Sequence, residues 1–166
     1  IKNPIIRQAL ISHNISEGFN IKSVSDIPPG SGLGSSGAFT VGLVSALHGL
    51  KGFVKSARDL AEEAADLEIN QLKSPIGKHD QYMAAYGGFL HLIYRKEGGV
   101  TVRKVNVNDA IVKKLESELI LVFSGMKRSA SETLGVTAKR FESSKEIFAD
   151  ISVFRKYGSG LRNYLI

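Results

Sequence analysis

Pro28-Pro29-Gly30-Ser31-Gly32-Leu33-Gly34-Ser35-Ser36-Gly37-Ala38-Phe39 reads as a phosphate-cradling loop running into a helix. The two prolines stiffen the entry. Gly30, Gly32 and Gly34 alternate, so the backbone can take conformations closed to residues with a Cβ and can approach an anion closely. Ser35 and Ser36 stand where the helix begins, which brings hydroxyls and free N–H groups to the positive end of its dipole. The spacing departs from G-x-x-x-x-G-K-[ST], because no lysine precedes the serine pair, and it is too tight for the usual G-x-G-x-x-G fingerprint.

The flanks support this order. Residues 19–27 are expected to form a strand, and after the loop Val41, Leu43, Val44, Ala46, Leu47 and Leu50 recur with the period of a mostly buried helix that ends at Gly52. Upstream, Asn3-Pro4 reads as an N-cap with proline at the first helical position, and Ile5, Ile6, Ala9 and Leu10 supply the apolar face up to His13-Asn14. Downstream, Ser56-Ala57-Arg58-Asp59 resembles a capping box and opens a helix to about residue 72, with Leu60, Ala61, Ala64, Ala65, Leu67 and Ile69 inward. A short helix over residues 78–86 stops at Gly87-Gly88. Residues 89–94 and 100–105 pair as a hairpin, residues 118–124 are expected as a strand, and residues 129–148 as a charged helix.

The chain has 166 residues, 43% hydrophobic and 23% charged, which suits one good domain or a domain with part of a second. It has no cysteine, so a disulfide framework and a thiolate metal site are both excluded and an intracellular, cytoplasmic location is the default. No apolar run is long enough to span a membrane and no signal-peptide pattern opens the chain. The net charge of +6 is spread over dispersed lysines and arginines without interleaved aromatics, which argues against nucleic acid as partner. A positive field of this kind attracts anionic small molecules.

A nucleotide on the loop needs a divalent cation, and hard cations such as Mg²⁺ take oxygen ligands. Ser36 offers a hydroxyl. The helix from Ser56 carries Glu62, Glu63, Asp66 and Glu68, which spacing alone places on the surface. Gly77-Lys78-His79-Asp80-Gln81-Tyr82 concentrates an amine, an imidazole, a carboxylate and an amide at a helix start, where Asp80 either caps the helix or does chemistry. His13, His48, His79 and His91 contain no ligand pair at helical spacing, which argues against a histidine zinc site.

In these segments the chain resembles the GHMP kinases, a group that includes galactokinase, homoserine kinase, mevalonate kinase and phosphomevalonate kinase. The resemblance rests on the loop from Pro29 to Ser36, on Ile76-Gly77-Lys78-His79-Asp80-Gln81-Tyr82, on Ala84-Ala85-Tyr86-Gly87-Gly88, and on Gly125-Met126-Lys127-Arg128-Ser129-Ala130-Ser131. It is strongest to the branch of D-glycero-D-manno-heptose 7-phosphate kinases and related fucokinase-like sugar kinases. His79 departs from the glutamine usual there.

The resemblance implies an ATP-dependent sugar or sugar-phosphate kinase, with D-glycero-D-manno-heptose 7-phosphate as the first-choice acceptor and fucose, galactose, mevalonate or homoserine as alternatives. Pro29, Gly30, Ser31, Gly32, Leu33, Gly34, Ser35 and Ser36 would bind the ATP phosphates. Ser36 and Glu68 would hold Mg²⁺, and Asp80 would deprotonate or orient the attacking hydroxyl. Lys78, His79 and Arg128 would face the sugar phosphate. A non-catalytic nucleotide- or sugar-binding sensor on the same fold is the reading from another class.

The implied fold is α+β: a mixed sheet covered by helices on one face, of the ribosomal-protein S5 domain 2-like kind, over residues 1–117, and the start of a ferredoxin-like C-terminal domain over residues 118–166. The family's opening segment and its third glycine-rich motif are missing from the sequence. With Ile1 in place of methionine, this leads us to expect an internal piece of a longer kinase, incomplete at both ends.

Overall fold

Helix α1, Pro4–Ser12, begins where the Asn3 side chain accepts hydrogen bonds from the Ile5 and Ile6 amides at 2.9 and 3.1 Å, with proline just inside. The computed structural model describes residues 1–16, 18–28, 30–123, 125, 153, 156–158 and 160–161. Residues 1–86 belong to one compact unit and residues 87–123 to a second.

In the first unit, α2 spans Ser35–Leu50 and α3 spans Ala57–Asp66, with Ser56 capping α3 through the Asp59 amide and donating to the Asp59 carboxylate at 2.8 Å. The helix continues as a π turn, Leu67–Gln71, closed by a hydrogen bond from the Leu72 amide to the Leu67 carbonyl and ended by Lys73 at φ 55°. A π turn inserts an extra residue per turn and is frequent at functional positions. The expected single helix to residue 72 therefore divides into α and π parts. Helix α4, His79–Tyr86, packs against both α2 and α3.

The core is built from Ala9, Leu43, Val44, Leu47 and Leu67, with Ile5, Ile6, Leu10, Ile15, Phe39, Leu60 and Leu72 closing over it. Each large side chain removed from water here contributes roughly 1.5–3 kcal/mol. Gln71 fastens α1 to the π turn, accepting from Gln8 and Ser12 at 2.9 and 2.8 Å and donating to Asp66 at 2.8 Å.

The second unit carries a β-hairpin, β1 Leu90–Tyr94 with β2 Val100–Lys104, antiparallel with Leu92 opposite Val102. Helix α5, Asp109–Glu118, follows; the Asn108 side chain accepts from the Ala110 amide at 2.8 Å.

Two expected strands are corrected. Residues 19–27 form no strand, and Phe19 and Val24 are 50% and 79% exposed. Among the described residues the sheet has only β1 and β2, so this segment has no neighbour with which to exchange ladder bonds, and alternation alone cannot hold a strand. Likewise Glu118 closes α5, and residues 119–123 form no strand and are exposed. The expected helix over residues 129–148 lies outside the described residues.

Candidate functional site

The glycine loop turns left-handed at each alternate glycine, with φ of 79°, 81° and 70° at Gly30, Gly32 and Gly34. Gly34 is itself the N-cap of α2, and no side chain caps that helix. The amides of its first turn, at Ser35, Ser36 and Gly37, therefore look out from the positive end of a 16-residue helix. The Ser31 hydroxyl is buried within the loop and has no hydrogen-bond partner among the described residues.

Against this loop lies the start of α4. A Cβ placed on Gly34 would stand 3.1 Å from Asp80 Cγ, and one on Gly37 would stand 2.7 Å from Asp80 Cβ and 3.1 Å from the Gln81 amide nitrogen. The missing side chains at Gly34 and Gly37 are what admit Asp80. Its carboxylate sits in the first turn of α4, where the dipole favours negative charge, and it is exposed to solvent on its open side.

Glu68 enters from the π turn. It is 2% exposed, against the surface position that spacing assigned it. Ser36 Oγ donates to its Oε2, and Gln81 Nε2 donates to its Oε1 at 2.8 Å. Gln81 is buried too, with its own Oε1 unpartnered among the described residues. A hydroxyl oxygen beside a carboxylate oxygen is an all-oxygen donor pair, which fits a hard divalent cation such as Mg²⁺.

A second network braces α4 on α3. Lys78 Nζ donates to Glu62 Oε2 at 2.8 Å and the Tyr82 hydroxyl donates to Glu62 Oε1. Burial alone would raise the Glu62 carboxyl, but the hydrogen bonds from Lys78 and Tyr82 and the charges of Lys78 and Arg58 outweigh it and hold it below its ordinary value. Burial first, and then the bond to Glu62, pushes the Tyr82 hydroxyl well above its ordinary value.

Of the residues singled out from sequence, Gly30, Ser31, Gly32, Leu33, Gly34, Ser35, Ser36, Glu68, Lys78, His79 and Asp80 lie within the one unit of residues 1–86. Leu33 is half exposed, Lys78 is engaged by Glu62, and His79 opens α4. Pro29 and Arg128 fall outside the described residues. Gln81 and Gly37 stood in the quoted motifs without a role; their contribution is contact across the fold, which a linear motif does not display.

The residues 4–88 match the family model described as the GHMP kinases N terminal domain. The chain belongs to the GHMP kinases. Among relatives of this family, it is 30% identical over 114 residues to the D-glycero-alpha-D-manno-heptose 7-phosphate kinase of Campylobacter jejuni, covering 69% of this chain and 34% of that protein. It is 27% identical over 146 residues to a mevalonate kinase of Pyrococcus horikoshii, covering 88% and 40% respectively. The crystal structure of a D-glycero-D-manno-heptose 1-phosphate kinase from Bacteroides thetaiotaomicron superposes with a TM-score of 0.63 at 28% identity, covering 69% of this chain and 39% of that one. The chain thus spans 34% to 40% of the length of these curated GHMP relatives. Its fold is the GHMP kinase fold, mixed in helix and strand.

His13 and His48 lie far apart in sequence, yet their rings meet edge to face with centroids 4.8 Å apart, and Glu63 reaches both. Ligand spacing along the chain could not reveal a trio assembled from three different helical segments. No described helix is long and apolar enough to cross a membrane.

Proposed function

We propose that the protein of which this chain is part transfers the γ-phosphate of ATP to a hydroxyl of a small sugar or sugar phosphate, with D-glycero-D-manno-heptose 7-phosphate as first acceptor. The observation that carries the reading is the seating of Asp80 against Gly34 and Gly37 at the head of α2. A carboxylate there can receive the proton of a hydroxyl that approaches a phosphate cradled by the loop.

Phosphoryl transfer asks the protein mainly for alignment and charge neutralisation, because the transition state is loose. The Gly30, Gly32 and Gly34 turns and the uncapped amides of α2 hold the phosphate oxygens, with the Ser31 hydroxyl as a further donor. Ser36 and Glu68 would hold Mg²⁺, which when bound supplies charge neutralisation for the phosphates. Gln81 fixes the Glu68 carboxylate in its orientation. Asp80 accepts the acceptor hydroxyl's proton, while Lys78, His79 and Arg128 are assigned to the acceptor's own phosphate. A cleft of about 480 Å³ adjoins the loop, lined by Ile27, Leu33, Ser35, Phe39 and Ala46, and its size and apolar walls suit the nucleoside.

Mevalonate is the second candidate acceptor, favoured by the 27% identity to archaeal mevalonate kinases. The test is ADP release by the full-length protein against the heptose phosphates, mevalonate, fucose, galactose and homoserine. We expect one heptose phosphate to exceed the others in kcat/KM. ATP binding without acceptor-dependent ADP release from any of them would sink the kinase reading and leave the sensor.

A further inference from the structure

We propose that His13, His48 and Glu63 form a second metal site, a three-ligand cage for a d-block dication of the zinc kind. The three come from separate segments: His13 caps α1, His48 lies in the last turn of α2, and Glu63 is midway along α3. One ligand atom from each lies within 4.8 Å of the other two.

The hydrogen-bond geometry turns one nitrogen of each imidazole toward the carboxylate. His13 Nδ1 is 2.9 Å from the Ala9 carbonyl, which can only accept, so Nδ1 is the donor there and Nε2 is the nitrogen left to face the cluster. This Nε2 is buried and has no hydrogen-bond partner among the described residues, yet it faces Glu63 Oε1 at 3.3 Å. A cation or a proton between Nε2 and the carboxylate oxygen removes their mutual repulsion, and the second imidazole aimed at the same carboxylate completes the set a metal would use. The other carboxylate oxygen lies 2.8 Å from His48 Nε2.

The frame already has the features of a ligating set. A metal-bound histidine ordinarily donates its other nitrogen to a carbonyl or carboxylate, as His13 does to Ala9. Lys51 Nζ fixes the His13 carbonyl at 2.6 Å, which ties the end of α1 to the end of α2. His13 and His48 are 5% and 14% exposed while Glu63 is 32% exposed, so the imidazoles form the floor and the carboxylate the entrance. Zinc bonds to nitrogen and oxygen of about 2.0–2.2 Å place tetrahedral ligand atoms roughly 3.3 Å apart, so only small side-chain shifts are needed. Two imidazoles and one carboxylate select zinc and its neighbours over Mg²⁺.

The cage is distinct from the phosphate site. His48 lies twelve residues beyond Ser36 on α2, about 18 Å along the axis at about 1.5 Å per residue. A cation there would staple α1, α2 and α3 and take no part in phosphoryl transfer.

The test uses the full-length protein, stripped with chelator and titrated with ZnCl₂ by calorimetry in millimolar Mg²⁺. We expect one equivalent to bind at micromolar or tighter Kd, the melting temperature to rise with zinc concentration, and Co²⁺ to give the visible bands of a tetrahedral site. Glu63→Gln and His48→Ala, each checked by circular dichroism for retained fold, should weaken zinc at least tenfold. No uptake by the folded wild-type protein would mean that a proton alone bridges these groups and would overturn the proposal. Equal uptake by both folded variants would overturn it as well.

Discussion

Asp80 and Gln81 are adjacent in sequence and opposite in burial, and each makes a separate demand on the site. Asp80 is open to solvent beside Gly34, whereas Gln81 is sealed and gives its amide to Glu68. In the proposed reaction Asp80→Asn keeps shape and hydrogen bonding but cannot take a proton, so kcat should fall by about 10²–10⁴ while the Kd for ATP stays within a factor of about two. Steady-state kinetics with ATP binding by calorimetry measures both, and a kcat within tenfold of wild type would remove Asp80 from proton transfer. Gln81→Leu acts on Glu68 instead: it leaves Oε1 buried without that donor and should destabilise the protein by about 1–3 kcal/mol in urea unfolding. The candidacy of Asp80 could be read from its neighbours in the motif. That of Gln81 could not, because its partner is thirteen residues away on another helix.

The meeting of α2 with α4 depends on two kinds of glycine, and they respond differently to substitution. Gly32 has φ 81° with nothing within 4 Å of an added Cβ, so Gly32→Val meets a conformational obstacle alone, about 1–2 kcal/mol, and should deform the loop and weaken ATP binding. Gly37 sits in ordinary helical backbone, but its added Cβ would come within 3.1 Å of the Asp80 carbonyl carbon and the Gln81 nitrogen. Gly37→Ala should therefore push α4 off α2, lower stability by about 1–3 kcal/mol and reduce kcat by displacing Asp80. Thermal melts and kinetics of the two variants should show loss of nucleotide affinity in the first and loss of stability with turnover in the second. Loss of ATP affinity alone in Gly37→Ala would contradict this division. The elements themselves were legible wherever local chemistry decides them: Asn3-Pro4, Ser56 to Asp59 and the turn at Gly87-Gly88 all mark real boundaries. Residues 19–27 misled because a strand is a property of two segments. The π turn at Glu68 was hidden because its sequence, Leu67-Glu68-Ile69-Asn70-Gln71, suits an α-helix equally well.

Across the molecule, what sequence could not reveal is the convergence of distant groups, as in His13 with His48 and Glu62 with Tyr82. The second has a consequence for stability across the pH range. Glu62 has a folded pKa below its unfolded value of about 4.3, so the network stabilises fully above that pH and loses its contribution as pH falls through the lower folded pKa. Asp66 adds to the same acid limb, held low by hydrogen bonds from Asn70 and Gln71. Tyr82 has the opposite sign: its folded pKa is above the unfolded value of about 10, so its contribution is complete below pH about 10 and is lost as pH rises towards the folded pKa. Urea midpoints measured from acid to alkaline pH should form a plateau that falls at both ends. Tyr82→Phe should lower the plateau by about 1–3 kcal/mol, through loss of a bond to a charged acceptor, and flatten the alkaline fall. Glu62→Gln should flatten the acid fall, because the amide has no proton to gain. Profiles of both variants that run parallel to wild type would show that α4 is held on α3 by packing, with the charged bridge contributing nothing measurable.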